Sequence, residues 1–141
     1  MPDDRVFADT NILIYAYDLS AGEKHKIAKM IVMDLWDSGL GILSTQVLQE
    51  FFFTVTQKIP KPLDVKAAQG IVRDFLKWDV VVNNGESILE AIEIQKQHGF
   101  SFWDSMIIEA AIRGGAAILL TEDLSHGQVI NDLKIKNPFL G

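Results

Sequence analysis

The sequence predicts an α/β fold, a three-layer α/β/α sandwich around a mostly parallel sheet of four to five strands. Short apolar runs without polar alternation indicate buried parallel strands. They alternate with longer segments in which apolar residues recur every three or four positions, as in amphipathic helices. Strands that alternate with helices favour a parallel sheet covered on both faces. A chain of 141 residues is most simply one domain, here expected over residues 1–141.

Each predicted element has its own justification in the residue pattern. Four apolar runs are too short for helices and are predicted as strands: VFA at Val6, GIL at Gly41, VVV at Val80 and AILL at Ala117. Helices are predicted where one apolar stripe continues, over Glu23–Asp37, Thr45–Lys58, Val65–Lys77, Ser87–Gln97 and Phe102–Arg113. Ser87 and Glu90 are expected to form a capping box, and Gly114 with Gly115 is expected to end the last helix.

Composition narrows the class of protein. The chain has no cysteine, which rules out disulfides and thiolate metal sites and fits a cytoplasmic protein. The stretch MPDDRVF lacks the pattern of a signal peptide, and no apolar run reaches the roughly 18 residues of a membrane span, so a soluble protein without a membrane partner is expected. The net charge of −6 argues at first against a nucleic-acid partner, because phosphate binding usually shows as a basic stripe.

Four acidic side chains are predicted at the edge beyond the carboxyl ends of the strands, where open parallel sheets bind ligands. Two follow strands directly, one lies one to two helical turns beyond the second strand, and one begins a helix. They are Asp9, Glu50, Asp104 and Asp123. Each alone has a purely structural explanation: Asp9 as a helix cap, Asp104 as part of a capping box with Ser101, Asp123 as a turn residue and Glu50 as a solvated helix position. Glu50 fits its explanation least well, because it lies close to the apolar stripe of its helix. Their joint placement favours a shared site.

Converging carboxylates repel one another unless a cation lies between them. Mg²⁺ and Mn²⁺ prefer oxygen ligands and retain water, which suits Asp and Glu without His or Cys. A metal-bound water loses its proton more readily, and the same ion stabilises charge on a phosphoryl oxygen. With the four acids set aside, 15 of the 19 acidic residues remain against 13 basic ones, so the rest of the chain is nearly balanced.

Four stretches of the sequence together resemble a known family. They are FADTNILIYAYD, VLQEF, FWDSMIIEAA and LLTEDLSHG, in this order and spread over essentially the whole chain. Together they resemble the PIN domain family, and within it the VapC-type toxin ribonucleases of prokaryotic toxin–antitoxin pairs. The acidic motifs in family order are far more specific than the single D-T-N motif.

The resemblance implies a metal-dependent endoribonuclease that hydrolyses RNA phosphodiester bonds and leaves a 5′-phosphate and a 3′-hydroxyl. It implies a pocket for Mg²⁺ or Mn²⁺ lined by Asp9, Glu50, Asp104 and Asp123, with Asp9 and Asp104 as the most direct ligands. Hydrogen bonds from neighbouring groups would orient these carboxylates. The groups are Thr10, Asn11 and Thr121.

Two positions leave details of this pocket open. Ser105 stands where many relatives carry another acid, so the resemblance implies either one metal ion or two. Glu122 adjoins Asp123, and the T-x-D pattern favours Asp123 as the residue that faces the pocket.

Further residues are candidates for contacts with partners. The resemblance implies a homodimer and a small antitoxin protein bound in a groove between helices. The run FFF sweeps about 200° of a helix, so one stripe cannot bury it and Phe53 is a candidate partner surface. Basic residues after the first motif are either RNA-backbone contacts or a solvated helix face: Lys24, Lys26 and Lys29. The tryptophans are interpreted as core or interface residues.

Two alternative functions stay open. A catalytically silent PIN-like binding module would use its acids only as helix caps and its apolar groove for a partner peptide. A phosphatase similar to the haloacid dehalogenases would use Asp9 as a nucleophile. The residue two positions later is then normally an acid, and Asn11 stands there, which disfavours the phosphatase.

Overall fold

The computed structural model describes residues 4–140, and its elements follow the predicted order. The strands are β1 Val6–Ala8, β2 Gly41–Ser44, β3 Asp79–Val81, β4 Ile118–Leu120, β5 Val129–Ile130 and β6 Leu133–Lys136. The helices are α1 Thr10–Tyr17, α2 Glu23–Ser38, α3 Thr45–Gln57, α4 Val65–Phe75, α5 Gly85–His98 and α6 Phe102–Arg113, and a 3₁₀ turn spans Leu19–Ala21. Part of the MPDDRVF stretch, residues 1–3, lies outside the described residues.

The predicted mostly parallel sheet is confirmed. Its strand order is β3-β2-β1-β4-β6-β5, and every neighbouring pair is parallel except β5 and β6. The sheet has six strands rather than four to five, because a short hairpin extends the edge beyond β4. Asn131 and Asp132 turn this hairpin with φ of 48° and 70°, values that Asn and Asp tolerate better than most residues. Such short strands leave little periodic signal in a sequence.

The path of the chain produces the three predicted layers. From β1 the chain steps to β2 and β3 through α1 to α4, and then returns to β4, on the other side of β1, through α5 and α6. Because strand–helix–strand crossovers are right-handed, steps in opposite directions place their helices on opposite faces. The step direction reverses between β1 and β4, so a crevice opens beyond the carboxyl ends of these two strands.

The predicted helices agree with the structure to within about two residues at their ends, but one cap is wrong. The capping box of α5 joins Asn84 and Ser87, not Ser87 and Glu90. Asn84 Oδ1 accepts from Ser87 N at 3.0 Å, and Ser87 Oγ accepts from Asn84 N at 2.7 Å. Ser87 is therefore the third residue of the helix rather than its cap, and α5 begins at Gly85.

The α2–α4 side of the core contains an aromatic cluster around Phe75. This fully buried ring packs against Tyr17, Phe51, Trp36 and Trp78, with ring centroids 5.2 to 6.3 Å apart. Edge-to-face and offset arrangements of this kind stabilise beyond the apolar area they bury. No helix within residues 4–140 combines the length and the apolar character needed to cross a bilayer.

We expect Gly41→Ala to lower the free energy of unfolding by about 1 to 3 kcal/mol, because it overpacks this cluster. A Cβ at Gly41 would lie 2.5 Å from the Cε3 and Cζ3 atoms of Trp78, whose indole is itself held by Phe75 and Trp36. Urea denaturation measures the change. Gly70→Ala is the matched control, since an added Cβ there meets nothing within 4 Å and should stabilise α4 by about 0.5 to 1 kcal/mol. Equal shifts in both variants would contradict the packing argument.

Candidate active site

Asp9 stands at the centre of the crevice and is held in one orientation. It follows β1 directly, caps α1 and is only 5% exposed. Its Oδ1 accepts from Thr10 N at 2.6 Å and its Oδ2 from Thr121 Oγ1 at 2.8 Å. Its own backbone N–H donates to Leu120 O at 2.9 Å, so the carboxylate sits where β1 and β4 end together.

Burial raises the pKa of Asp9 to about 6, against the hydrogen bonds from Thr121 and Thr10 that favour its charged form. The neighbouring carboxylates of Asp123 and Glu50 add to the rise by charge repulsion. Ionised Asp9 therefore stands in a surrounding that disfavours its negative charge.

Glu50 reaches the same crevice from the middle of α3. Its Oε1 accepts a hydrogen bond from Thr10 Oγ1 at 2.7 Å. Thr10 therefore binds two carboxylates, that of Asp9 through its backbone N–H and that of Glu50 through its hydroxyl. This contact joins the start of α1 to α3. The position is half-buried rather than solvated.

The two adjacent acids after β4 face different partners. Asp123 lines the crevice, where its Oδ2 accepts from Asn11 Nδ2 at 3.0 Å and its backbone N–H donates to Thr121 Oγ1 at 3.1 Å. Burial and the charges of Asp104 and Glu122 raise the pKa of Asp123.

Glu122 points away from the crevice into a separate set of contacts. It accepts from Tyr15 Oη at 2.5 Å and from Lys24 Nζ at 2.8 Å. Burial acts to raise the pKa of Glu122, but the hydrogen bonds from Lys24 and Tyr15 outweigh it and leave that pKa below its ordinary value. These contacts occupy Glu122, so Asp123 is the acid left for the crevice.

Asp104 completes the acidic set from the first turn of α6. Its backbone N–H donates to the N-cap residue Ser101 at 3.1 Å, and its side chain lines the crevice. No group within residues 4–140 donates a hydrogen bond to the Asp104 carboxylate, in contrast to those of Asp9, Glu50 and Asp123. Ser105, the next residue, is fully buried and donates to Ser101 O at 2.8 Å.

The four predicted acids thus open into one pocket of about 390 Å³. Its walls also contain Thr10, Asn11, Ile14, Gln46, Phe53, Thr54, Trp103 and Ile107. The oxygen donors suit Mg²⁺ or Mn²⁺. Burial is the main cause of the raised pKa values of Asp9 and Asp123, and repulsion between the carboxylates adds to it; a bound cation would offset both.

A ready-made ligand set is, however, not found within residues 4–140, where no three acidic or His side chains stand close enough to hold a metal together. The four acids predicted to line a metal pocket are therefore less closely grouped in the structure than a complete ligand set would be. Mg²⁺ characteristically takes one or two carboxylates and keeps waters for its other positions, so its requirements are compatible with this pocket.

The basic residues predicted to contact RNA lie on α2 and have different surroundings. Lys24 pairs with Glu122 and lies over the rings of Tyr15 and Phe139, 5.1 and 5.6 Å from their centroids. Lys26 is exposed and pairs with Glu23 at 3.3 Å, while Lys29 is exposed.

Five residues of the pocket wall were not predicted as functional, and two of them, Gln46 and Trp103, carry groups that can bind a ligand. Gln46 precedes Glu50 by one helical turn, and this i, i+4 spacing is the signal that would have placed it on the same face. Trp103, interpreted as a core or interface residue, is 63% exposed and forms part of the pocket wall.

Phe53, the candidate partner surface, also borders the pocket and is 55% exposed, whereas Phe51 is fully buried.

The fold and the pocket define a class, the α/β/α sandwich proteins with a carboxylate-lined crevice at the carboxyl edge of a parallel sheet. Within this class the chain belongs to the PIN domain family, whose model matches residues 6–129. The predicted family is thereby confirmed. A comparison with curated proteins gave no match.

Solved structures of toxin–antitoxin proteins share this fold. A toxin–antitoxin complex from Klebsiella pneumoniae is 17% identical, with a TM-score of 0.68 over 96% of this chain and 98% of that chain. VapBC2 from Rickettsia felis, solved with a promoter DNA fragment, is 20% identical, with a TM-score of 0.62 over 94% and 97%. VapC20 from Mycobacterium tuberculosis, a toxin that cleaves the sarcin–ricin loop, is 19% identical, with a TM-score of 0.61 over 81% and 86%.

We expect Asp9→Asn to stabilise the metal-free protein at pH 8 by about 3 kcal/mol and to leave its stability unchanged near pH 4. The folded carboxyl has a pKa of about 6 against an ordinary value of 3.8, so the folded state binds the proton more tightly. The stabilisation that the bound proton gives the folded state is complete below about pH 4 and is lost as the pH rises through 6. Asn can still accept from Thr10 N and donate to Thr121 Oγ1.

Urea unfolding in the presence of EDTA at both pH values measures this difference. Asp37→Asn, the same exchange at an exposed position, controls for the loss of one negative charge. A variant that is less stable than the parent at pH 8 would contradict the assignment of a buried, unfavourably charged Asp9.

Proposed function

We propose that this protein is a metal-dependent endoribonuclease that hydrolyses RNA phosphodiester bonds, and that it is the toxin of a toxin–antitoxin pair. The observation that carries the proposal is the meeting of Asp9, Glu50, Asp104 and Asp123, distant in sequence, in one pocket. Membership of the PIN domain family supports the nuclease class, and the similar fold of an RNA-cleaving toxin supports the biological role.

Asp9 and Asp104 are the proposed direct ligands of Mg²⁺ or Mn²⁺, with Glu50 and Asp123 completing the negative field around it. Asp104 suits this role because its carboxylate accepts no hydrogen bond from the described residues and is free to bind. Asp9 suits it because a cation would offset the unfavourable burial of its charge.

The other residues of the pocket would orient these acids. Thr10 and Thr121 hold the two oxygens of Asp9, and Asn11 holds Asp123. Such hydrogen bonds from surrounding groups fix the direction of ligand lone pairs. When bound, the cation would activate a water and neutralise charge on the phosphodiester.

The two alternative functions fit the structure less well. A silent module would use the acids as helix caps, but among the four only Asp9 caps a helix with its side chain; Ser44 and Ser101 cap the helices of Glu50 and Asp104. A phosphatase that used Asp9 as a nucleophile would need an acid two residues later. The amide of Asn11 cannot act as a general acid, and it donates a hydrogen bond to Asp123 instead.

We expect Asp104→Asn to lower RNA cleavage at least about 100-fold while it changes the free energy of unfolding by at most about 1 kcal/mol. Its carboxylate makes no hydrogen bond that the fold needs. Cleavage of single-stranded RNA in Mn²⁺, with urea unfolding in parallel, measures both effects.

Mn²⁺ should also raise the melting temperature of the parent and not that of Asp9→Asn.

Asp37→Asn is the control for this exchange, because it removes the same charge at an exposed position of α2. Cleavage by Asp104→Asn at the parental rate would refute the proposed ligand role.

The proposed partners are a second copy of the chain and a small antitoxin. Phe53→Ser should weaken one of these associations more than it lowers the melting temperature, because the ring is 55% exposed and supports little of the core. Sedimentation of the chain alone and with its antitoxin measures the association, and calorimetry the stability. Met33→Ser is a matched control, since Met33 is also 55% exposed but lies on α2. Unchanged association in the Phe53 variant would exclude this surface.

A further inference from the structure

The proposed chemistry leaves the buried carboxamide of Gln46 without a use. Gln46 lies in the first turn of α3, is 6% exposed and forms part of the pocket wall. Neither its Nε2 nor its Oε1 has a hydrogen-bond partner among the described residues. Buried polar groups are nearly always paired, so an unpaired donor and acceptor side by side require a partner that the protein itself does not supply, either a water or a ligand.

The chemistry of the amide restricts what this ligand is. A phosphate offers only acceptors, so it would leave Oε1 unpaired. A metal-bound water offers only donors and would leave Nε2 unpaired. A nucleobase presents a donor and an acceptor together on one edge and is uncharged, so it satisfies both atoms of Gln46 in an acidic surrounding.

Access to the pocket requires the amide to turn, because both polar atoms are shielded from solvent in the free chain. Turning costs no hydrogen bond, since neither atom makes one. The face of a base also has a partner nearby. Trp103 is 63% exposed on the same pocket wall, and RNA-binding proteins stack unpaired bases on such aromatic side chains.

We infer that the pocket binds one unstacked nucleobase of the RNA substrate, with Gln46 hydrogen-bonded to its donor–acceptor edge and Trp103 stacked on its face. The inference rests on the proposed function, which supplies RNA as the substrate. Both residues act as specificity and positioning residues beside the acids. The protein then selects the nucleotide next to the cleaved bond rather than only the charge of the backbone.

Cleavage of a pool of single-stranded RNA randomised over eight positions tests the role of Gln46. Product ends are sequenced for the parent, Gln46→Met and Gln49→Met in Mn²⁺. We expect Gln46→Met to cut RNA but to lose about tenfold of the parental base preference at one position. Its melting temperature should not fall, because no hydrogen bond is lost. Gln49→Met makes the same exchange at an exposed site of α3 and should match the parent.

The outcomes separate the two proposals. A parent that leaves the RNA pool intact overturns the proposed function and this inference with it. A parent that cleaves, beside a Gln46→Met variant with the same base preference, overturns the inference alone. A lower melting temperature in Gln46→Met with unchanged preference would assign Gln46 a purely structural role.

Trp103 provides a second test that does not depend on the folding of the Gln46 variant. We expect Trp103→Leu to raise the KM for a short single-stranded RNA about tenfold with little change in kcat, and Trp103→Phe to restore most of the binding. The RNA should quench part of the tryptophan fluorescence of the parent, and this quenching should be absent in Trp103→Phe. An unchanged KM in Trp103→Leu, or full quenching in Trp103→Phe, would overturn the stacking role.

Discussion

The buried carboxylate of Asp9 is the constraint on which the rest of the site depends. A charge that is 5% exposed at the end of a central strand is unfavourable, and this burial is the main reason that the pKa of Asp9 is raised to about 6. Thr10 and Thr121 hold both oxygens in place, so the group cannot turn away to solvent. The fold thus keeps a negative charge where other carboxylates repel it, an arrangement that favours a cation as partner.

Two adjacent acidic residues take different positions in the structure because they have different hydrogen-bond partners. Glu122 and Asp123 are adjacent in sequence, but Tyr15 and Lys24 bind Glu122 and leave Asp123 in the pocket. Lys24, one of the basic residues predicted to contact RNA, is consequently engaged in an ion pair with Glu122.

Much of the fold follows from patterns that a sequence carries locally. Runs such as VFA and GIL have no polar alternation, which indicates buried parallel strands, and the helices between them show continuous apolar stripes. The hairpin of β5 and β6 was not predicted, because its strands are short and their pairing depends on the edge of β4. The cap of α5 was misplaced, because Ser87 serves equally well as a cap or as the third residue of a helix.

By itself the sequence determined the order of the first four strands and of the helices between them, the family and the four candidate acids, because strand and helix periodicity and acidic motifs are local properties of the chain. Only the tertiary structure decided which side chains share the pocket. Gln46 and Trp103 belong to it because the first turns of α3 and α6 lie beside the crevice, whereas Tyr15 of α1 and Lys24 of α2 hold Glu122 away from it. Burial and hydrogen-bond partners arise from elements distant in sequence, and no local pattern records them.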